Sequence, residues 1–323
     1  MKSQNKSQII IIGAGISGLM CATRLTQAGV DVHLIDKGRR VGGRMSTRHF
    51  EGGVFDHGAQ FFSTKSSAFQ HYVSSWVKEG IAKVWFDSST DPAAPHPRYI
   101  GVTGMNAIPQ YLGKHLLHDC SITIESVCFT DQWTIESKEK SYTADHLILT
   151  PPGPQSYNLL STTSADLQKN AFHLLPSFEY EKGLAVLLLL DQKSNLPVPG
   201  FLKPDHPDIA WIADNQQKGI SDKPALTVHT TARFAEAYWD RNDADKIEAV
   251  VSLIKPWIQA EVIGAQAHRW GYTLPLHKSD QSTLYIPEYN LQLAGYAFGG
   301  SRVEGAALSG LAAAEEWLMH NSS

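Results

Sequence analysis

Between the β-branched run at residues 9–12 and an apolar stretch at residues 19–28 lies the turn Gly13-Ala14-Gly15-Ile16-Ser17-Gly18. No other feature constrains the fold as strongly. A short continuous run of isoleucines suits a strand buried on both faces of a parallel sheet. The stretch at 19–28 reads as a helix ended by Gly29, a residue suited to a left-handed C-terminal cap, and residues 30–35 read as a second strand. Residues 9–35 therefore spell a βαβ unit. In such a unit Gly13 permits the tight turn, and Gly15 lets backbone N–H groups approach a diphosphate. Gly18 lets the helix pack close to the strand, and the N-terminus of that helix faces the anion, with Ile16 and Ser17 in the turn that leads into it. Asp36 follows the second strand, 23 residues after Gly13. A carboxylate there accepts hydrogen bonds from ribose hydroxyls and repels a 2′-phosphate. The glycine pattern alone is weak; strand, helix and spaced acid together make it specific.

Nicotinamide and flavin dinucleotides both suit such a unit, and the next segment separates them. Lys37 is followed within a few residues by Gly42-Gly43-Arg44-Met45. An NAD dehydrogenase has no use for a second glycine-and-arginine loop there. An extended FAD does, because the glycines allow close approach and Arg44 can neutralise the diphosphate with bidentate hydrogen bonds. Arg39 and Arg40 read as solvated surface.

At 323 residues the chain exceeds one ordinary core and suits two domains. Its net charge of −4, without a long basic run, argues against a nucleic-acid partner. Three cysteines without metal spacing argue against a bound metal and fit a reducing compartment. The longest apolar runs are too short to span a membrane, so a cytoplasmic location is expected. Residues 144–149 read as a strand stopped by Pro151-Pro152, residues 291–294 as another, and residues 305–320 as a closing helix. Residues 88–97 read as loop. Within 155–280, the runs 183–190 and 225–230 are strand-like and 243–263 reads as a helix with a break or kink at Pro256. The expected fold class is α/β: a Rossmann-like FAD-binding domain (1–75, 100–155 and 281–323) and a substrate domain built on an antiparallel sheet (76–99 and 156–280).

The stretch from Asp36 to Met45 resembles the segment after the second strand in the amine-oxidase superfamily of flavoproteins. Gly43-Arg44-Met45-Ser46-Thr47-Arg48, then Phe55-Asp56-His57-Gly58-Ala59-Gln60-Phe61-Phe62, resembles the renalase branch of that superfamily. So does the C-terminal run from Leu293 through Gly295-Tyr296 and Val303-Glu304-Gly305-Ala306 to Gly310. The resemblance implies a p-hydroxybenzoate-hydroxylase-like architecture with non-covalent FAD. Gly13, Gly15, Ser17 and Gly18 would cradle the diphosphate, Asp36 would hold the ribose and Arg44 the phosphates. Gly58, Ala59, Gln60 and Phe61 would run beside the isoalloxazine, and Val127 would offer backbone contacts to adenine. Thr150 sits where the chain returns to the cofactor, and Gly305 and Ala306 open the last helix toward the flavin pyrimidine. Tyr296 departs from the Gly-Asp of relatives, which puts one cofactor contact in doubt.

Flavin carries the redox chemistry, so no nucleophilic triad is needed and none is read. Trp270, His57, Gln60 and His229 are the candidate catalytic and pocket-wall residues, Trp270 first because a flat ring can stack a planar substrate. Three functions compete. One is an oxidase of the renalase type, taking hydride from dihydronicotinamide isomers of NAD(P)H with O2 reduced to H2O2. The second is an amine oxidase with Trp270 and Tyr296 as an aromatic pair. The third is a non-catalytic flavin-fold protein, as in the related GDP-dissociation-inhibitor family, which would show a degraded cofactor site.

Overall fold

The computed structural model describes residues 4–163, 167, 179–300 and 302–321. The chain forms two compact units, Met1–Gly43 with Pro109–Glu179 and Pro275–Ser323, and Arg44–Ile108 with Tyr180–Leu274. Among the described residues no helix is long and apolar enough to cross a membrane.

In the first unit the strand Gln4–Ile12 runs parallel between Val32–Ile35 and Ser141–Leu149. Leu117–Asp119 extends the parallel sheet beyond Val32–Ile35, and Leu291–Leu293 extends it on the other side. Antiparallel partners finish it: Leu284–Ile286 at one edge, and Trp133–Ser137 with Ile124–Phe129 beside the start of Ser141–Leu149. Ile9, Ile10 and Ile11 are fully buried, as a strand covered on both faces requires. Each such side chain contributes roughly 1.5–3 kcal/mol by leaving water. Helix Ile16–Gln27 follows the first strand, with Gly29 left-handed at its end. The last helix, Val303–Asn321, lies so close to it that a Cβ on Gly310 would overlap the Ser17 carbonyl oxygen.

The second unit holds a five-stranded sheet in the order Phe201–Leu202, Ile209–Asp214, Ala225–Thr230, Tyr180–Leu190, Val262–Pro275, antiparallel across its first four strands. Tyr180–Leu190 alternates with a period of two. Leu184, Val186 and Leu188 pack with Phe234, Val250 and Ile254 of the helices Ala232–Tyr238 and Asp243–Ile254. Leu187 and Leu189 pack instead with Phe55, from the hairpin Thr47–Phe50/Gly53–Asp56.

Two features differ from the sequence reading. The helix expected over 243–263 ends at Ile254. Lys255–Trp257 is a single 3₁₀ turn and Val262 already begins a strand, because Pro256 has no N–H to continue the α-helical ladder. The units also divide elsewhere than at 75, 100, 155 and 280. Residues 44–75 belong to the second unit because Phe55 sits in its core, and 100–108 join them because Arg98–Gly101 pairs with Ala82–Phe86. Residues 156–163 fall in the first unit, where Leu160 is part of the core.

Candidate functional site

The glycine turn of the first unit is built as its spacing requires. Gly13 has φ +104°, and a Cβ there would collide with Thr150 Oγ1. Thr150 earns that proximity by donating to the Gly13 carbonyl at 2.9 Å, with the Ile12 carbonyl at 3.1 Å. A Cβ on Gly18 would overlap the Gly13 carbonyl oxygen, so the helix start rests directly on the turn. Gly15 is different. It caps the helix with ordinary dihedrals (φ −73°, ψ 178°), and a Cβ on it would meet no protein atom within 4 Å. The Gly42 N–H donates to the Ala14 carbonyl at 2.8 Å, and a Cβ on Gly43 would come within 3.3 Å of Gly15 Cα. The two glycine loops therefore lie against each other. Ile16 packs inward, whereas the Ser17 hydroxyl, also buried, has no partner.

Asp36 binds the loop as well as ending the strand. Its Oδ2 accepts the Ala14 N–H and its Oδ1 the Gly38 N–H, both at 2.6 Å. A carboxylate has about four lone-pair directions, so each oxygen keeps capacity for a hydroxyl donor. Lys37 is exposed. The Val127 N–H donates to Thr162 Oγ1 at 3.0 Å, a partner within the chain that sequence reasoning did not foresee. Gly295, at φ +134°, donates its N–H to Ser309 Oγ at 2.8 Å. Tyr296 is half-buried, and Val303, Gly305 and Ala306 form the first turn of the last helix.

The remaining expected residues lie in the second unit. Arg44 donates to the Tyr272 carbonyl at 3.1 Å, and Met45 is buried. Gly58 fits because a Cβ there would overlap the Arg44 carbonyl oxygen, which also accepts the Ala59 N–H at 2.9 Å. Phe61 joins an aromatic group with Trp85, Phe86 and Trp211, and the Arg98 guanidinium lies 5.4 Å from its ring centroid.

His57, His229 and Trp270 come together in the second unit. The His57 carbonyl accepts Trp270 Nε1–H at 2.8 Å, and His229 Nε2 lies 3.2 Å from the same oxygen. A carbonyl only accepts, so His229 carries its proton on Nε2. The Trp270 ring stacks on the His57 ring (5.4 Å, 27°), and His268, which sequence reasoning missed, sits edge-on to both at 4.8 Å and 4.5 Å. Its place in His268-Arg269-Trp270 on an alternating strand was the available signal.

All three imidazoles are held neutral. Burial, then His268 and Arg48, push His57 down to about 3; burial and Lys218 push His229 to about 4; burial and Arg48 push His268 to about 4. In the unfolded chain these groups titrate near 6.5. The unfolded state thus binds more protons, and stability is lost as pH falls from 6.5 toward the folded values. The melting temperature is expected to decline steadily between pH 6.5 and about 4, with proton uptake on unfolding. A melting temperature flat across that window would refute neutral burial of the cluster.

Residues 11–76 match the NAD(P)-binding Rossmann-like domain family. Curated relatives align over short stretches. L-amino-acid oxidase of Neurospora crassa is 48% identical over 60 residues, 18% of this chain and 8% of that protein. Phytoene desaturase of Fusarium fujikuroi is 36% identical over 85 residues (24% and 14%), and polyamine oxidase 1 of Oryza sativa subsp. japonica is 46% identical over 57 residues (17% and 11%). The matched stretches span 8–14% of these relatives' own length. The fold likeness is far wider. A protein assigned as a protoporphyrinogen oxidase from Exiguobacterium sp. 255-15 superposes with TM-score 0.71 at 12% identity, covering 99% of this chain and 100% of that one. Putrescine oxidase bound to putrescine superposes with TM-score 0.67 at 14% identity, covering 98% and 100%. The α/β architecture, a parallel Rossmann-like sheet with a second antiparallel sheet, is the one these structures share.

Proposed function

We propose, from homology to oxidases and desaturases joined to an intact glycine cradle, that this chain is an oxidoreductase using non-covalently bound FAD. Its substrates would be dihydronicotinamide isomers of NAD(P)H. The observation that carries the reading is the space at Gly15, where a side chain would meet nothing of the protein while Gly42 and Gly43 close in from the other side. Ser17 lies in the first turn of the helix that Gly15 caps, where backbone N–H groups suit a phosphate oxygen. In this reading Gly13, Gly15, Ser17 and Gly18 hold the diphosphate at the helix N-terminus. Asp36 takes the ribose hydroxyls on its remaining lone pairs, Thr150 fixes the turn, and Gly295, Tyr296, Gly305 and Ala306 present the last helix. Arg44 contributes positive charge, and Trp270, His57, Gln60 and His229 orient the substrate. When bound, FAD supplies a two-electron acceptor that passes the pair on to O2. The overall balance is one hydride from the dihydropyridine ring and one proton from solvent, with O2 reduced to H2O2.

The matched relatives include oxidases and desaturases alike, so the likeness favours no substrate class. An amine substrate is the second reading; the putrescine-bound neighbour keeps it open at the level of fold. A non-catalytic role would call for a degraded cradle, and the cradle is intact.

Purified protein is expected to be yellow, to release its flavin on acid precipitation, and to bleach anaerobically with 2- or 6-dihydronicotinamide isomers but not with amines. Protein that stays colourless after incubation with FAD would end the cofactor reading. Bleaching by amines alone would select the second substrate class.

A further inference from the structure

We propose that Arg48 reads a phosphate on the substrate, so that the phosphorylated dihydronicotinamides, mononucleotide and dinucleotide, are preferred to the phosphate-free riboside. This rests on the nicotinamide reading above and names the anionic group that the same site takes.

Arg48 lies in the strand Thr47–Phe50, directly opposite Phe55 in the hairpin. Cross-strand neighbours share a face, and so do alternate residues of one strand. Arg48 therefore stands on the same face of the hairpin as Phe50 and Phe55, the two that pack on Leu187 and Leu189 of the five-stranded sheet. An arginine serving only as solvated surface belongs on the other face. Its Nη1 reaches the long strand Val262–Pro275, where it donates to Gln266 Oε1 at 3.2 Å. A guanidinium has five N–H donors in a planar fork, and the Gln266 oxygen takes one. Among the described residues no carboxylate pairs with Arg48, and the side chain is half-buried, so the rest of the fork is open to solvent and to a ligand.

The surroundings place that fork beside the residues proposed to orient the ring. Gln266, His268 and Trp270 are alternate residues of one strand, and all three are half-buried. His268 and Trp270 lie ring to ring at 4.5 Å, and His57 contacts both, at 4.8 Å and 5.4 Å. The strand advances about 13 Å from Gln266 to Trp270, a span comparable with a nicotinamide ring, its ribose and a phosphate laid end to end. Two acids stand nearby. Asp243 faces His268 but holds Lys246 at 3.2 Å, and the Glu51 carboxylate lies against Gly264, further from Trp270 along the same strand. Burial and then Arg48 lower the pKa of His268, and burial, His268 and Arg48 lower that of His57, so the guanidinium is felt at both rings. A planar fork without a carboxylate suits a phosphate, which it can meet with two parallel hydrogen bonds. It opposes an ammonium.

Calorimetric titration of flavin-loaded protein at low ionic strength, with nicotinamide mononucleotide and nicotinamide riboside, isolates the phosphate. Wild-type protein is expected to bind the mononucleotide about tenfold more tightly or better, the preference given by one charge-assisted hydrogen bond. Arg48→Met is expected to bring the mononucleotide down to the affinity of the riboside, with riboside binding and flavin content unchanged. A merely structural arginine would weaken both ligands alike, and that result overturns the proposal. Gln266→Glu keeps Arg48 and gives its fork a carboxylate, so it too is expected to cut the preference; it decides the matter if Arg48→Met does not fold. Wild-type affinities within twofold of each other overturn the proposal without any variant, as does a preference that survives Arg48→Met. Flavin-loaded wild-type protein that binds neither ligand ends the nicotinamide reading underneath, and the assignment to Arg48 falls with it.

Discussion

Gly15→Val is expected to yield a folded protein without flavin, whereas Gly18→Ala damages the fold itself. The two glycines are three residues apart, yet their surroundings differ. A Cβ at Gly15 meets no protein atom within 4 Å, and the backbone there (φ −73°, ψ 178°) suits any L-residue. Valine therefore costs only the poorer helix cap, about 1 kcal/mol, which lowers the melting temperature by roughly 2–4 °C in a chain of this size. Its methyl groups, however, enter the place proposed for the diphosphate. Losing two charge-assisted hydrogen bonds there amounts to roughly 3–6 kcal/mol, or two to four orders of magnitude in FAD affinity. A Cβ at Gly18 overlaps the Gly13 carbonyl oxygen, a backbone atom with nowhere to move. Overpacking of that kind costs about 1–3 kcal/mol or more. The ratio of flavin to protein absorbance, read with a thermal melt, separates the cases. Fully flavinated Gly15→Val protein would show that the diphosphate does not lie there.

The features readable from sequence were those whose cause is local. The isoleucines at 9–12, the glycine spacing and Asp36 all act within one βαβ unit, so strand, turn and carboxylate stand where their order implies. The closing helix was readable too, because its alanines favour helix without help from packing. What escaped depends on distant partners. Nothing near Phe55 tells that it packs on Leu187, Leu189 and Ala225, and that packing carries residues 44–75 into the second unit. Val127 was expected to give backbone contacts to adenine, and its N–H donates within the chain to Thr162, 35 residues on. His57, His229 and Trp270 were each suspected singly. Their shared hydrogen bonds to one carbonyl oxygen span 172 and 213 residues of sequence, beyond any periodicity. Lys218 was not suspected at all, since a lysine in a turn is ordinarily a solvated charge.

That lysine supports the second large prediction. Lys218 Nζ lies 2.6 Å from Asp56 Oδ2, with both side chains fully buried, and 4.9 Å from the Trp85 ring centroid. Burial lowers its pKa, and Asp56 pulls the other way, so the pair stands or falls together. Lys218→Met keeps the length and removes the charge. Asp56 then keeps Thr47 and the Met105 N–H on Oδ1, but its Oδ2 faces an apolar wall. Removing one member of a buried pair is strongly destabilising, at about 3–5 kcal/mol, because the other charge stays behind without compensation. Urea unfolding should show a loss of that size at neutral pH. Adding Asp56→Asn removes the stranded charge while an amide oxygen can still accept from Thr47 and Met105, so the double variant should recover more than half of the loss. Since Asp56 leads directly into His57 and its carbonyl holds Gln60, Lys218→Met should also loosen the turn at residues 56–60. A single variant within 1 kcal/mol of wild type, or a double variant no more stable than the single, would mean that the pair does not hold this turn.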